Sequence, residues 1–199
     1  MAEMTQPNTA ATHARSFPWG CWLIFGLLLA FLGVIGLAMY RAQAGQVSKG
    51  PAPDLTLNLY NGETFRLSDQ IGQVVMVDFW ASWCIPCRQE AQTLEALWQE
   101  YRDRGVMFVG VDYLDTETEA KAFLKEFGIT YPNGPDLGTR ISEAYRIRGV
   151  PEKFLIDRQG QIRAVLIGPV SEAELRQYLE ALIAESSLPL ESQVGPQGD

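Results

Sequence analysis

The sequence predicts an α/β domain, a mixed central sheet flanked by helices, with an N-terminal β-hairpin and a single N-terminal transmembrane helix. Three observations carry this reading. Two apolar runs, Val74 to Phe79 and Val106 to Val111, are each followed by a segment of helical character, the pattern of parallel strands joined by crossovers. Two later runs, Lys153 to Ile156 and Ile162 to Leu166, flank Asp157-Arg158-Gln159-Gly160 and read as an antiparallel hairpin. From Trp19 to Tyr40 every residue is apolar, glycine or cysteine.

The elements follow in order. Met1 to Pro18 is polar and rich in small residues, and reads as a disordered arm. Residues 19–40 give about 22 helical residues, roughly 33 Å at 1.5 Å each, enough to cross a bilayer. Trp19 and Trp22 at one end and Tyr40 at the other suit interfacial aromatic belts, and Arg41 stops the run. Ala42-Gln43-Ala44 has the form of a signal-peptide cleavage site. The apolar run is longer than the usual signal core, however, and only His13 and Arg15 lie ahead of it, so an uncleaved anchor is the reading. Cys21 lies within the run rather than after it, and reads as an inert thiol instead of a lipid attachment point. Arg15 on one flank against Arg41 and Lys49 on the other does not favour an N-inside orientation, but large domains cross largely regardless of so small a bias. The downstream domain is therefore expected outside the cytoplasm.

Residues 41–52 read as a linker and 53–184 as the folded domain. Leu55 to Leu59 alternates, and Asn61-Gly62 marks a hairpin turn before Thr64 to Leu67. The helix after Val74–Phe79 runs to about Arg104 and is closed by Gly105. Thr116-x-x-Glu119 is a capping box that opens a helix ending at Gly128. A short helix covers Thr139 to Tyr145, and Ser171-x-x-Glu174 opens the last one, to about Ala184. Residues 185–199 lack periodicity and read as a disordered tail.

Composition excludes several function classes. A net charge of -8 and a pI near 4.7 argue against a nucleic-acid partner and fit an acidic, soluble surface. The one histidine, His13, lies in the arm, which excludes histidine acid–base chemistry, a Cys-His dyad and histidine metal ligation within the domain. With 3 cysteines the chain is not a disulfide-stapled scaffold.

The most informative stretch is Trp83-Cys84-Ile85-Pro86-Cys87, between the first buried strand and a helix N-terminus. Two thiols flanking two residues there form a dithiol–disulfide layout. The free N–H groups of the helix start favour a thiolate at the first cysteine, the species that attacks disulfides. Pro86 falls in the first turn, where its missing N–H costs little. The bland alternatives are a chance pair of core thiols or half a zinc site, but the zinc site's other ligands would have to come from Cys21 and His13, far upstream, so no metal is expected.

Val77-Asp78-Phe79-Trp80-Ala81-Ser82-Trp83-Cys84-Ile85-Pro86-Cys87, followed by Gly149-Val150-Pro151, resembles the thioredoxin superfamily over about residues 53–184. The hairpin, Arg88-Gln89-Glu90, Phe154-Leu155-Ile156-Asp157 and the anchor make the chain similar to the tethered thiol–disulfide oxidoreductases of cytochrome c maturation, the ResA, TlpA and CcmG/DsbE group. The resemblance implies that Cys84 is the nucleophile and that Cys87, more buried, resolves the mixed disulfide. It implies that Ile85 helps set the redox potential. It also implies a cis Val150-Pro151 bond opposite the cysteines, against a background of about 5–6% cis among X-Pro bonds. That proline leaves the preceding backbone free to pair with a substrate strand. Val150 departs from the threonine common at this position.

Asp78 matches the buried carboxylate beneath the dithiol, and Glu90 the acidic residue of the ResA-like group. A buried carboxyl can trade protons with the resolving thiol. The plainer readings are a strand-end surface aspartate and a first-turn glutamate favoured by the helix dipole. Trp80 and Trp83 read as core and rim aromatics. Trp83, Ile85, Pro86 and Val150 form the expected substrate-binding rim.

The resulting expectation is a membrane-anchored, extracytoplasmic reductase of protein disulfides without a cofactor. An upstream transmembrane thiol carrier donates its electrons, and apocytochrome c is the substrate the resemblance points to. The alternatives are a peroxidase of the same fold, and a non-catalytic docking or metallochaperone domain, which would want a histidine ligand.

Overall fold

The computed structural model describes residues 19–42 and 46–185, so the expectations for the arm, for Gln43 and Ala44 and for the tail beyond Glu185 lie outside the described residues. The chain divides into two compact units, Met1–Gly45 and Gln46–Asp199. The first holds helix α1, Trp19–Ala42, which covers the expected apolar helix. Its large apolar side chains from Trp22 to Leu37 are exposed. Among the described residues no helix is long and apolar enough to cross a membrane, the side chains of α1 being described over 22–37 only.

The second unit is built on a six-stranded sheet of order β1-β8-β7-β4-β5-β6. Its strands are β1 Gly50–Pro51, β4 Val74–Trp80, β5 Val106–Asp112, β6 Asn133–Pro135, β7 Glu152–Ile156 and β8 Gln161–Ile167. β4, β5 and β6 run parallel, while β7, β8 and β1 attach antiparallel on the other side of β4. The mixed sheet expected from the spacing of apolar runs is therefore present. A separate hairpin pairs β2, Thr56–Asn58, with β3, Thr64–Arg66. Its turn is wider than a two-residue connection: Gly62 N–H reaches the Leu59 carbonyl at 3.0 Å, and Leu59 N–H the Glu63 carbonyl at 2.8 Å.

β4 is buried along its whole length, and its side chains alternate between the two faces. Val74 and Met76 pack with Leu94, Trp98 and Tyr101 of α2, Ile85–Tyr101, and with Leu175 and Leu179 of α5, Glu172–Glu185. Val75, Val77 and Phe79 face Leu57, Phe65, Ile141 and Tyr145. That second face is covered by the hairpin and by the short helix α4, Arg140–Tyr145, rather than by long helices. The hairpin is seated on β6, where Tyr60 N–H donates to the Asn133 carbonyl at 2.9 Å. A Cβ at Gly134 would fall 2.3 Å from the Asn58 carbonyl oxygen, a backbone approach that only glycine admits.

Local signals end the helices as the sequence predicts. Thr116 Oγ1 caps helix α3, Glu117–Phe127, by accepting from Glu119 N–H at 3.3 Å, and Ser171 Oγ accepts from Glu174 N–H at 3.2 Å at the start of α5. Gly105 and Gly128 take left-handed conformations at the ends they were expected to close. Two elements differ from expectation. β1 lies in the segment read as linker, yet Gly50 and Pro51 pair with Ile162 and Gln161 of β8. β6 was not expected at all, because Asn133-Gly134-Pro135 has no apolar alternation and proline is tolerated only at such a sheet edge.

Candidate active site

β4 delivers the chain to the carboxyl end of the sheet, and the turn from Ala81 to Trp83 passes it directly into α2. That turn is tied to the strand end of β5. Tyr113 N–H donates to the Trp80 carbonyl at 2.8 Å, Ser82 N–H to Asp115 Oδ2 at 2.6 Å, and Trp83 Nε1 to the Leu114 carbonyl at 3.2 Å. Cys84 is the N-cap residue of α2, with Pro86 in the first turn. Its Sγ accepts the Cys87 N–H at 3.2 Å, the bond a capping oxygen makes elsewhere. Cys84 and Cys87 are joined by a disulfide across a Cα–Cα distance of 5.2 Å.

The expected difference in burial between the two sulfurs is not found in this disulfide form. Cys84 and Cys87, joined in the ring, are each 3% exposed. What distinguishes them is position: Cys84 caps the helix, whereas Cys87 faces inward. Around them Trp83 and Ile85 are exposed and Pro86 is half-buried. Val150 packs against the cluster that contains both cysteines, and the Val150-Pro151 bond beside it is cis. Trp80 stays in the core, stacked on Phe123 and donating from Nε1 to Asn133 Oδ1 at 2.8 Å.

Both expected acids are buried, so Asp78 is not a surface aspartate, and Glu90 lies beyond the first turn of α2, which holds no acidic residue. Asp78 sits on the α2 face of β4, and with Cys87, Glu90 and Tyr131 it lines a cleft too tight to admit a water molecule. Tyr131 OH donates to Asp78 Oδ2 at 3.3 Å, while Asp78 Oδ1 has no hydrogen-bond partner. Burial pushes the Asp78 carboxyl up to about 7; Lys153 and the Tyr131 hydroxyl pull against this and Glu90 adds to it. Glu90 has both oxygens occupied, Oε1 by the Lys153 ammonium and Oε2 by the Val170 N–H at 2.8 Å. Burial raises its carboxyl above the usual range, and those two donors draw it back.

Lys153 was missed as a site residue. It is fully buried, opposes Asp78 in the β4–β7 register and also donates to the Gly168 carbonyl at 3.3 Å. A lone lysine inside a strand buried on both faces was the available signal, since a cation there needs a buried acid. A second acid was also missed. Asp112, at the end of β5, accepts from Tyr60 OH, and burial pushes its carboxyl up to about 7. Among the described residues no group of three or more His, Cys, Asp or Glu is disposed to hold a metal ion. The arrangement is suited to closing and opening one disulfide beside an apolar rim, with a proton-holding carboxyl beneath it.

Comparison with known proteins agrees with this geometry. Residues 49–165 match the AhpC/TSA family. Thiol-disulfide oxidoreductase ResA of Geobacillus thermodenitrificans is 31% identical over 161 residues, covering 80% of this chain and 92% of that protein. ResA of Bacillus cereus is 30% identical, covering 78% and 92%. Among solved structures, a thiol:disulfide interchange protein of the thioredoxin family from Chlorobium tepidum TLS superposes with a TM-score of 0.63 at 27% identity, over 71% of this chain and 99% of that one.

Proposed function

Because the chain belongs to the AhpC/TSA family and is a thiol–disulfide oxidoreductase of thioredoxin-like fold, we propose that it works as a membrane-tethered, extracytoplasmic reductase of protein disulfides. The observation that carries the reading is the Cys84–Cys87 pair at the start of α2, with the Cys87 N–H aimed at the Cys84 sulfur. In the reduced protein that N–H and the helix start stabilise a thiolate on Cys84. The Cys84 thiolate attacks one sulfur of a substrate disulfide, forms a mixed disulfide and expels the other substrate sulfur as a thiolate. Cys87 then gives up its proton and attacks Cys84 Sγ. The internal disulfide closes, the second substrate sulfur leaves, and two electrons have passed to the substrate. Trp83, Ile85, Pro86 and Val150 receive the substrate polypeptide, and Pro151 leaves the backbone before it free to pair with a strand of it.

The exposed apolar surface of α1 supports the tether. A tether raises the effective concentration of the domain near membrane-bound partners. Oxidising compartments lack the usual thiol pool, so the electrons come from a transmembrane thiol carrier upstream. The substrate is the oxidised cysteine pair of apocytochrome c, whose haem attachment needs free thiols. Deleting the gene lowers covalently bound haem in membrane cytochromes, and added dithiothreitol restores it. A tagged copy that complements the strain stays in the carbonate-washed membrane pellet. Normal haem staining without added thiol removes the cytochrome c assignment, and a soluble complementing protein removes the tether.

A further inference from the structure

The two carboxyls beneath the dithiol are not equivalent, and the group that separates them is Lys153. Glu90 is held at both oxygens, by Lys153 from β7 and by the Val170 N–H from the β8–α5 loop. Asp78, directly across the β4–β7 ladder from Lys153, keeps one oxygen with no partner and faces Cys87 across the tight cleft. Proton exchange between a buried carboxyl and Cys87 is what the family resemblance already implies; we propose that Lys153 is the positioning residue that decides which carboxyl performs it, because by holding Glu90 in a buried ion pair it leaves that role to Asp78. This rests on the reading of Cys84 and Cys87 as the exchanging pair.

The step balances. When a reductant thiolate attacks Cys84 Sγ, a new S–S bond forms, the Cys84–Cys87 bond breaks, and Cys87 leaves with the electron pair. Protonated Asp78 gives that sulfur its proton and becomes a carboxylate. In the reducing direction the carboxylate takes the proton back from Cys87 before Cys87 attacks. The cleft that Asp78 and Cys87 line together is too tight to admit a water molecule. The charged and titratable groups that face Asp78 are Lys153 from β7, Glu90 and Cys87 from α2, and Tyr131 from the approach to β6. Burial lifts Asp78 to about 7, where proton transfer in either direction is balanced, and Lys153 and Glu90 act on it with opposite sign, so that their pairing keeps either charge from displacing it alone. An unpaired Glu90 would compete for the same proton, and an unpaired Lys153 would hold Asp78 ionised.

The test is the rate at which dithiothreitol reduces the oxidised full-length protein between about pH 5 and 9, divided by the fraction of reductant present as thiolate. The wild-type rate falls with one inflection near pH 7 as Asp78 ionises. Asp78→Asn removes the inflection. Lys153→Met moves it up and Glu90→Gln moves it down, each by about one pH unit or more, the effect an adjacent charge produces. The double variant Lys153→Met/Glu90→Gln, a neutral pair of similar volume, returns the inflection to within about half a unit of wild type. This double variant and Glu90→Gln keep the test decisive if Lys153→Met alone does not fold. An inflection that survives Asp78→Asn, or that neither single variant moves, overturns the proposal. Failure of the underlying reading looks different: the wild-type protein then fails to exchange with any protein disulfide, at every pH.

Discussion

Cys87→Ser accumulates covalent mixed disulfides with substrate proteins, Cys84→Ser does not, and either substitution lowers disulfide-exchange turnover by about a thousandfold or more. Loss of a covalent nucleophile has effects of this order, and residues that act as a unit are each as costly as the pair. The asymmetry comes from the fold. Cys84 is the N-cap of α2, where a thiolate gains from the helix start and from the Cys87 N–H at 3.2 Å. Cys87 is one turn further in, lines the inner cleft with Asp78 and Glu90, and is bonded to the Cys84 sulfur. Without Cys87 the first step still runs and the second cannot. Non-reducing gels with mass spectrometry of the adducts, alongside reduction of a model protein disulfide, give both readouts. Equal trapping by the two variants contradicts the assignment of roles.

Asp78→Asn makes the oxidised protein more stable than wild type above neutral pH, and the advantage shrinks as the pH falls. Burial moves the Asp78 carboxyl from its ordinary 3.8 up to about 7. The folded state therefore holds a proton that the unfolded chain has already released between those values, and stability declines as pH rises across that window. The contribution is complete below about pH 4 and gone once the carboxyl is ionised in the folded state. A displacement of this size corresponds to on the order of 4 kcal/mol. Asparagine keeps the shape and carries no charge to desolvate, so the variant lacks this slope. Asp112 adds a second decline of the same sign, and the exposed pairs of Arg104 with Glu180 and Arg176 with Glu100 add little at moderate salt. The difference between variant and wild type isolates Asp78. Denaturant midpoints at about pH 5 and pH 8 check it, and a difference that does not change with pH contradicts the account.

Much of this molecule was legible because its signals are local. The continuous apolar runs at 74–79 and 106–111 could only be strands buried on both faces, and Thr116, Ser171, Gly105 and Gly128 act within one turn of themselves. The Trp83–Cys87 motif fixed the place of the dithiol for the same reason: strand, turn and helix are contiguous in the chain. Features that depend on distant partners were not legible. β6 exists because β5 offers an edge, and β1 because β8 does. The state of Glu90 depends on Lys153, 63 positions away in the chain, and on the backbone of Val170. Helical spacing alone placed Glu90 near the thiols but gave no sign that both its oxygens were taken. The equal burial of Cys84 and Cys87 is a property of the folded surroundings of the ring, which the spacing of the motif does not encode.

The direction of electron flow is the centre of the functional account, and the equilibrium midpoint potential of the Cys84–Cys87 pair tests it most directly. The full-length protein is equilibrated in dithiothreitol or glutathione redox buffers, and the free thiols are then trapped and counted. A value in the reducing range, near the roughly −270 mV of thioredoxin, is the expected result; one near the roughly −120 mV of a dedicated oxidant would contradict the proposal that this protein reduces its substrates.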